Sequence, residues 1–186
     1  MNDILTSCGV ESAAVRVRMT AHAIVASGWR QAVWCHNAWG VKSGKSWTGD
    51  FYLMDTQEDD GSGSLYDVPA ESWRAFYSWR EAVSDFQERI AAGSGRYGRA
   101  HAALVDEDLP DSEYWAELGD AGYYTDTQNM TPGKFASLCR RVRSEVAQKK
   151  SDVNGLGLAG GFVLGVLAIV AGLAAVGVGI VRAHVR

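Results

Sequence analysis

The chain has 186 residues, with 22 Asp and Glu against 18 Lys and Arg and a net charge of −4. All 22 acids but only 16 of the basic residues precede Gly155, so that part carries about −6, which argues against a nucleic-acid partner. It is long enough for one compact domain with a real core and too short for two, whereas Gly155 to Val181 contains nothing but Gly, Ala, Val, Leu, Ile and Phe.

At the N-terminus, "MNDILTSCGVESAAVRVRM" mixes charges throughout and offers no basic start with a short apolar core, so no cleavable secretory signal is expected. From Glu11 to Trp29, Val15, Met19, Ala23 and Ala26 recur at intervals of three or four with Val25 beside them. This spacing predicts a helix against the core, ending near Gly28. Between Gly40 and Val68 the texture changes to β-prone pieces, "WTGDFYLMD" and "SLYDV", separated by the polar "TQEDDGSGS", which reads as a hairpin or loop tip. Helical periodicity returns from Ala70 to Ala92, with Trp73, Phe76, Val83, Phe86 and Ile90 as the buried face. Then "EYWAELGDAGYYTD" and "PGKFASLCRRVRSEVAQ" continue it, broken at Gly119, Gly122 and Pro132. No internal repeat is visible, and the order of helix, small β lobe and helices predicts an α+β fold, mostly helical.

The run 155–181 exceeds what a helix needs to cross the roughly 30 Å hydrocarbon core of a bilayer. The expected organisation is therefore a domain over 1–147, a juxtamembrane linker over 148–154, a transmembrane helix over 155–181 and a short tail over 182–186. Five basic residues in "RRVRSEVAQKK" precede the run, against Arg182 and Arg186 after it. By the positive-inside rule the domain stays cytoplasmic and the tail crosses, giving a single-pass protein with a C-terminal lipid anchor. Gly157, Gly161 and Gly165, continued by Ala168 and Gly172, form a small-residue stripe suited to homo-oligomer contacts, although so glycine-rich a run also produces that spacing by composition alone. Cys8, Cys35 and Cys139 lack the paired spacing of a zinc site or disulfide framework and read as buried thiols. The four histidines show no metal spacing either, so neither metal nor cofactor is expected.

Five segments in order carry a resemblance: "AHAIVASGWR" (21–30), "HNAWGVK" (36–42) with "WTG" (47–49), "DTQED" (55–59), "WRAFYSWREAVSDF" (73–86) and "AGYYTDT" (121–127). Together they resemble the glucosaminidase domains of glycoside hydrolase family 73, which include the flagellar-rod peptidoglycan hydrolase domain and many autolysins. The resemblance implies a lysozyme-like fold, with a helical body and β lobe flanking a cleft for the glycan strand of peptidoglycan. It also implies a glutamate, in "ESGW", that protonates the leaving oxygen. Ala26 occupies that position here, and alanine has no proton to give. Either the protein is naturally a pseudoenzyme or an alanine has been engineered at the acid, and the residues do not separate the two. His22, one turn earlier where the family usually has glutamine, shares the face and is a weak substitute acid. The resemblance puts Glu58 on the family's β-lobe glutamate, as base or electrostatic support, and its plain alternative is a solvated acidic run with Asp59 and Asp60.

Tyr123 falls on the family's cleft tyrosine, its alternative being simple packing. Most of Trp29, Trp34, Trp39, Trp47, Trp73, Trp79 and Trp115 are expected in the core, with Trp39 and Trp47 favoured for sugar stacking, and Asn37 and His22 added as sugar contacts. The expected function is a membrane-anchored protein of a peptidoglycan glycosidase family with hydrolysis absent or impaired. The alternatives are an active lytic glycosidase using Glu58, or a structural membrane or virion protein retaining only the fold. A cytoplasmic domain lies across the membrane from peptidoglycan. A phage protein made inside the cell, in the virion membrane or the host inner membrane, resolves that conflict, and a bacterial membrane protein exported by its own anchor is the second choice.

Overall fold

The structure, a computed structural model, describes residues 1–27, 33–60, 62, 64–91, 95–124, 130–156 and 184–185. Its elements are α1 (Asn2–Ser7), α2 (Ala13–Ala26), a 3-10 turn (Trp34–His36), β1 (Phe51–Asp59), β2 (Leu65–Arg74), α3 (Trp79–Ala91), α4 (Gly98–Val105), α5 (Asp111–Asp120), α6 (Pro132–Leu156) and β3 (His184–Val185). Among the described residues, six α-helices around one small antiparallel sheet make the α+β, lysozyme-like arrangement expected.

The helix α2 is the axle of the domain. Ser12 caps it by accepting the Val15 N–H at 3.2 Å, and residues 17 to 23 are buried without a break, as a helix enclosed on all sides requires. Both of its ends reach solvent, the last turn finishing at the exposed Ala26. Enclosure puts Arg18 in the core at 1% exposure, where its three nitrogens meet five acceptors. Nε reaches Asp111, Nη1 reaches the carbonyls of Ala103, Leu104 and Asp106, and Nη2 reaches that of Leu109. A buried guanidinium is tolerable only when its donors and charge are matched, and this network pins α2 to the α4–α5 connection. Arg143 of α6 completes the carboxylate of Asp111.

The β lobe departs from the expectation in two places. The strand β1 runs on through Thr56 to Asp59, so the tip is only 60–64, where Asp60 accepts the Ser62 N–H at 2.8 Å. Likewise, β2 extends to Arg74, and the helix expected from Ala70 starts at Trp79. The reason lies in pairing available on both edges of β2. Its register with β1 runs from Asp59↔Leu65 to Phe51↔Arg74, while Ser43 N–H donates to Ser72 O and Arg74 N–H to Val41 O. Those bonds occupy the backbone groups a helix would need. A bulge interrupts the register between Met54 and Thr56, opposite Pro69 and Ala70. Proline has no N–H to lose there, Ala70 takes φ 52, and its N–H donates to the Asp55 carboxylate at 2.9 Å. On the other edge of β1, His184 and Val185 pair with Leu53 and Tyr52.

At its start α6 packs Phe135, Leu138, Cys139 and Val142 into the core, then continues as one helix through 148–154 to Leu156. Among the described residues no helix is long and apolar enough to cross a membrane. Residues 157–183 lie outside them, and with them the expected span and Gly157, Gly161 and Gly165.

Candidate active site

A cleft of about 470 Å³ opens where the end of α2 meets the β lobe and the turn after α5. Its floor is Ala26, exposed at the last position of α2, beside Gly40. Gly40 has φ +64, and a Cβ added there would stand 3.7 Å from that of Ala26 and 3.5 Å from the Trp73 ring. Glycine therefore both permits the turn and keeps the floor open.

Thr56, Gln57 and Glu58 of β1 form the β-lobe wall. Lys42 Nζ donates to Glu58 Oε1 at 2.7 Å and to Glu71 Oε2 at 3.0 Å, and lies 5.6 Å from the centre of the Trp73 ring. Burial lowers the affinity of this ammonium for its proton, but the hydrogen bonds and charges of Glu58 and Glu71 outweigh that and hold it above the ordinary lysine value. Glu58, 20% exposed at its side chain, thus faces the cleft as half of an ion pair. Across from it stands Tyr123, half-buried, whose hydroxyl donates to Trp39 O at 3.1 Å and whose ring meets those of His22 and Tyr97 edge-on at 5.1 and 5.6 Å. Burial pushes its phenol well above the usual value, so it remains a neutral donor.

The structure gathers Ala26, Glu58 and Tyr123 around one opening. The other expected sugar contacts have different places. Trp39 is 1% exposed, its indole N–H donates to Met19 O at 3.0 Å, and its ring stacks on Phe86 at 4.8 Å, so it supports the cleft from the core. Trp47 lies off this cleft, bordering a shallow hollow with Phe76 and Asp85. Its N–H donates to Asp50 O at 2.8 Å and the Arg74 guanidinium covers its face at 4.1 Å. Asn37 is a buried staple: its amide donates to the carbonyls of Val41 and Arg74 and its oxygen accepts the Val41 N–H. His22, 2% exposed, lies beneath the floor with Nδ1 2.9 Å from Tyr114 Oη among the rings of Phe86, Trp115 and Tyr123. Burial lowers its pKa to about 3, so the imidazole is neutral near pH 7 and its remaining N–H is too weak an acid to protonate a leaving group. Residues unforeseen as cleft lining are Lys42, Trp73, Arg89, Arg96, Tyr97 and Trp115. Of these, Lys42 and Trp73 lie in two of the segments that carry the resemblance, and a glycine-flanked "GRYGR" at 95–99 holds Arg96 and Tyr97.

Protonating a glycosidic oxygen while activating water or a nucleophile takes two carboxyl groups in the usual glycosidase. Among the described residues lining the cleft, Glu58 is the one carboxylate.

No family model matches the chain. Peptidoglycan hydrolase FlgJ of Pseudomonas aeruginosa is 26% identical over 146 residues, covering 75% of this chain, which spans about a third (34%) of that relative's length. Among solved structures, a peptidoglycan hydrolase mutant from Sphingomonas sp. A1 superposes with a TM-score of 0.62 at 20% identity, over 80% of this chain and 99% of the other. A C-terminally truncated glycoside hydrolase domain of FlgJ from Salmonella typhimurium gives 0.51 at 22% identity, over 77% and 97%. The two structures show the fold, and the sequence relative adds a similarity along most of this chain. The described domain thus has the fold of these peptidoglycan hydrolase domains and is similar in sequence to FlgJ.

Proposed function

We propose that the cleft binds the glycan strand of peptidoglycan and that, with alanine at position 26, hydrolysis is absent or strongly reduced. The observation that carries this reading is the exposed Ala26 on the cleft floor, facing an opening whose one described carboxylate, Glu58, is paired to Lys42. General acid catalysis contributes about 10²- to 10⁴-fold, and a methyl group contributes none of it. Dye release from labelled peptidoglycan, run with the protein and with Ala26→Glu, tests it. Turnover confined to the variant supports the reading, while equal turnover in both supports an active glycosidase working through Glu58. Failure of both proteins to sediment with insoluble peptidoglycan leaves the structural role.

The apolar run 155–181 serves in this reading as a lipid anchor. Its basic N-terminal flank favours a cytoplasmic domain. Such a topology suits a phage product that meets the wall on entry or release.

A further inference from the structure

We propose that Arg89 and Arg96 form a carboxylate-binding wall of the cleft, so that it prefers strands containing muramyl residues over uncharged strands of N-acetylglucosamine alone. This rests on the reading that the cleft holds glycan and specifies which glycan.

The first observation is a local reversal of charge. The part of the chain before the apolar run carries about −6, yet the described cleft lining sets Lys42, Arg89 and Arg96 against Glu58. Because Glu58 is taken by Lys42 at 2.7 Å, two guanidinium groups face the cleft without a lining carboxylate to neutralise them. The second is partnership. Arg18, Arg74, Arg99 and Arg143 each have an acid within 4 Å, whereas Arg89 and Arg96 have none among the described residues. Asp85, one turn before Arg89 on α3, makes its close ion pair with Arg74, and the Arg89 charge acts on it only from beyond ion-pair distance.

Arg89 is half-buried, and its Nε is shielded from solvent without a hydrogen-bond partner in the described structure. A desolvated donor of this kind costs free energy unless something accepts from it, and a ligand carboxylate entering the cleft is a fitting acceptor. Arg96 is exposed but held. Its Nη2 donates to Tyr97 Oη at 2.8 Å, the guanidinium lies 4.9 Å from the Tyr97 ring centre, and Nη1 is 3.9 Å from where a Cβ on Gly122 would stand. Tyr97 is braced on Tyr123 in turn. Two arginines, one fixed by an aromatic ring and one poor in partners, suit the planar two-oxygen geometry of a carboxylate.

Muramyl residues differ from N-acetylglucosamine by a lactyl ether, which carries a carboxylate on peptide-free strands. On substituted strands it carries a stem peptide with carboxylates of its own. Three soluble ligands separate these cases: a chitin oligosaccharide, a peptide-free muramyl strand of equal length, and the same strand with stem peptides. Binding of each to the full chain in mild detergent is measured by calorimetry for the protein, Arg96→Gln, Arg96→Lys and Arg89→Gln, with thermal melts to check folding.

The expected result is a preference of roughly tenfold for muramyl over chitin strands, the size of a charge-assisted contact. Arg96→Gln abolishes it with chitin binding held within about twofold, Arg96→Lys restores part, and added salt erodes it. A preference already present on the peptide-free strand assigns the lactyl carboxylate, and one that needs the peptide assigns the stem. Equal affinity for chitin and muramyl strands, or parallel loss of both in Arg96→Gln, overturns the inference and leaves glycan binding standing. Absence of binding to every strand overturns both.

Discussion

Replacing His22 with glutamine tests whether the imidazole is as isolated from water as its position beneath the cleft requires. Burial lowers its pKa from 6.5 to about 3, so in the acid range the unfolded chain takes up a proton that the folded chain refuses. The sign follows: the group's contribution to stability is complete above pH 6.5, declines by about 1.4 kcal/mol per pH unit below it, and is exhausted near pH 3. Between pH 8 and pH 5 the loss comes to about 2 kcal/mol. Glutamine does not titrate, so His22→Gln escapes this loss while giving up the ring contacts with Phe86, Trp115 and Tyr123, a cost of about 1 to 3 kcal/mol at pH 8. Denaturant melts followed by tryptophan fluorescence at pH 8, 6.5 and 5 should show the gap between the two proteins closing by about 2 kcal/mol as pH falls. Other acid-sensitive groups are common to both proteins and largely cancel. A gap that stays constant from pH 8 to pH 5 would refute the argument, because it would mean that the imidazole protonates within the fold and could exchange protons with the cleft.

Arg18→Met should cost about 3 to 5 kcal/mol in the same melts, since it takes one of two arginine partners from a buried carboxylate and strands four carbonyls, and a loss below 1 kcal/mol would contradict the network described. Burial raises the Asp111 carboxyl but hydrogen bonds and charges from Arg143 and Arg18 lower it further, so its folded value lies below the unfolded one. The stability it brings is present above about pH 4 and lost as pH falls through the folded value, and Arg143→Met should flatten that loss. Ala70→Gly should raise stability by about 1 kcal/mol by relieving the left-handed conformation at the β2 bulge, with no gain in the melting temperature telling against that strain. Finally, the pairing of β3 with β1 and a tail beyond a bilayer exclude each other. In inverted vesicles, a C-terminal tag shielded from protease while the domain is cut supports the single span, and simultaneous digestion refutes it.

Periodicity revealed the start of α6 because its buried residues recur at helical intervals along an otherwise polar stretch, and it marked α2 through Val15, Met19 and Ala23 although burial there runs unbroken from 17 to 23. It misplaced the start of α3, since Trp73 and Phe76 fall in phase with Val83, Phe86 and Ile90 although Trp73 belongs to a strand. Only the pairing partners 41–43, some thirty residues away, decide between the two. In the cleft, Ala26, Glu58 and Tyr123 were legible through the motifs around them. Trp39 was not, because a tryptophan in a loop motif carries no mark of which side of the wall it occupies. Arg18 gave no sign of burial either: it stands between Val17 and Met19 on a helix, and the carbonyls that receive it lie 85 to 91 residues further on. The Lys42, Glu58 and Glu71 triad is likewise assembled by strand register across gaps of 16 and 29 residues.

Past Val146, the last residue of α6 in contact with the core, ten more residues of the same helix extend about 15 Å further. A spoke of that kind transmits torque where a glycine-rich tether would swivel. Whatever holds the chain after Leu156 therefore sets the compass heading and standoff of the groove, and inserting two residues after Lys150 would turn that heading by roughly 200° while hardly changing the height.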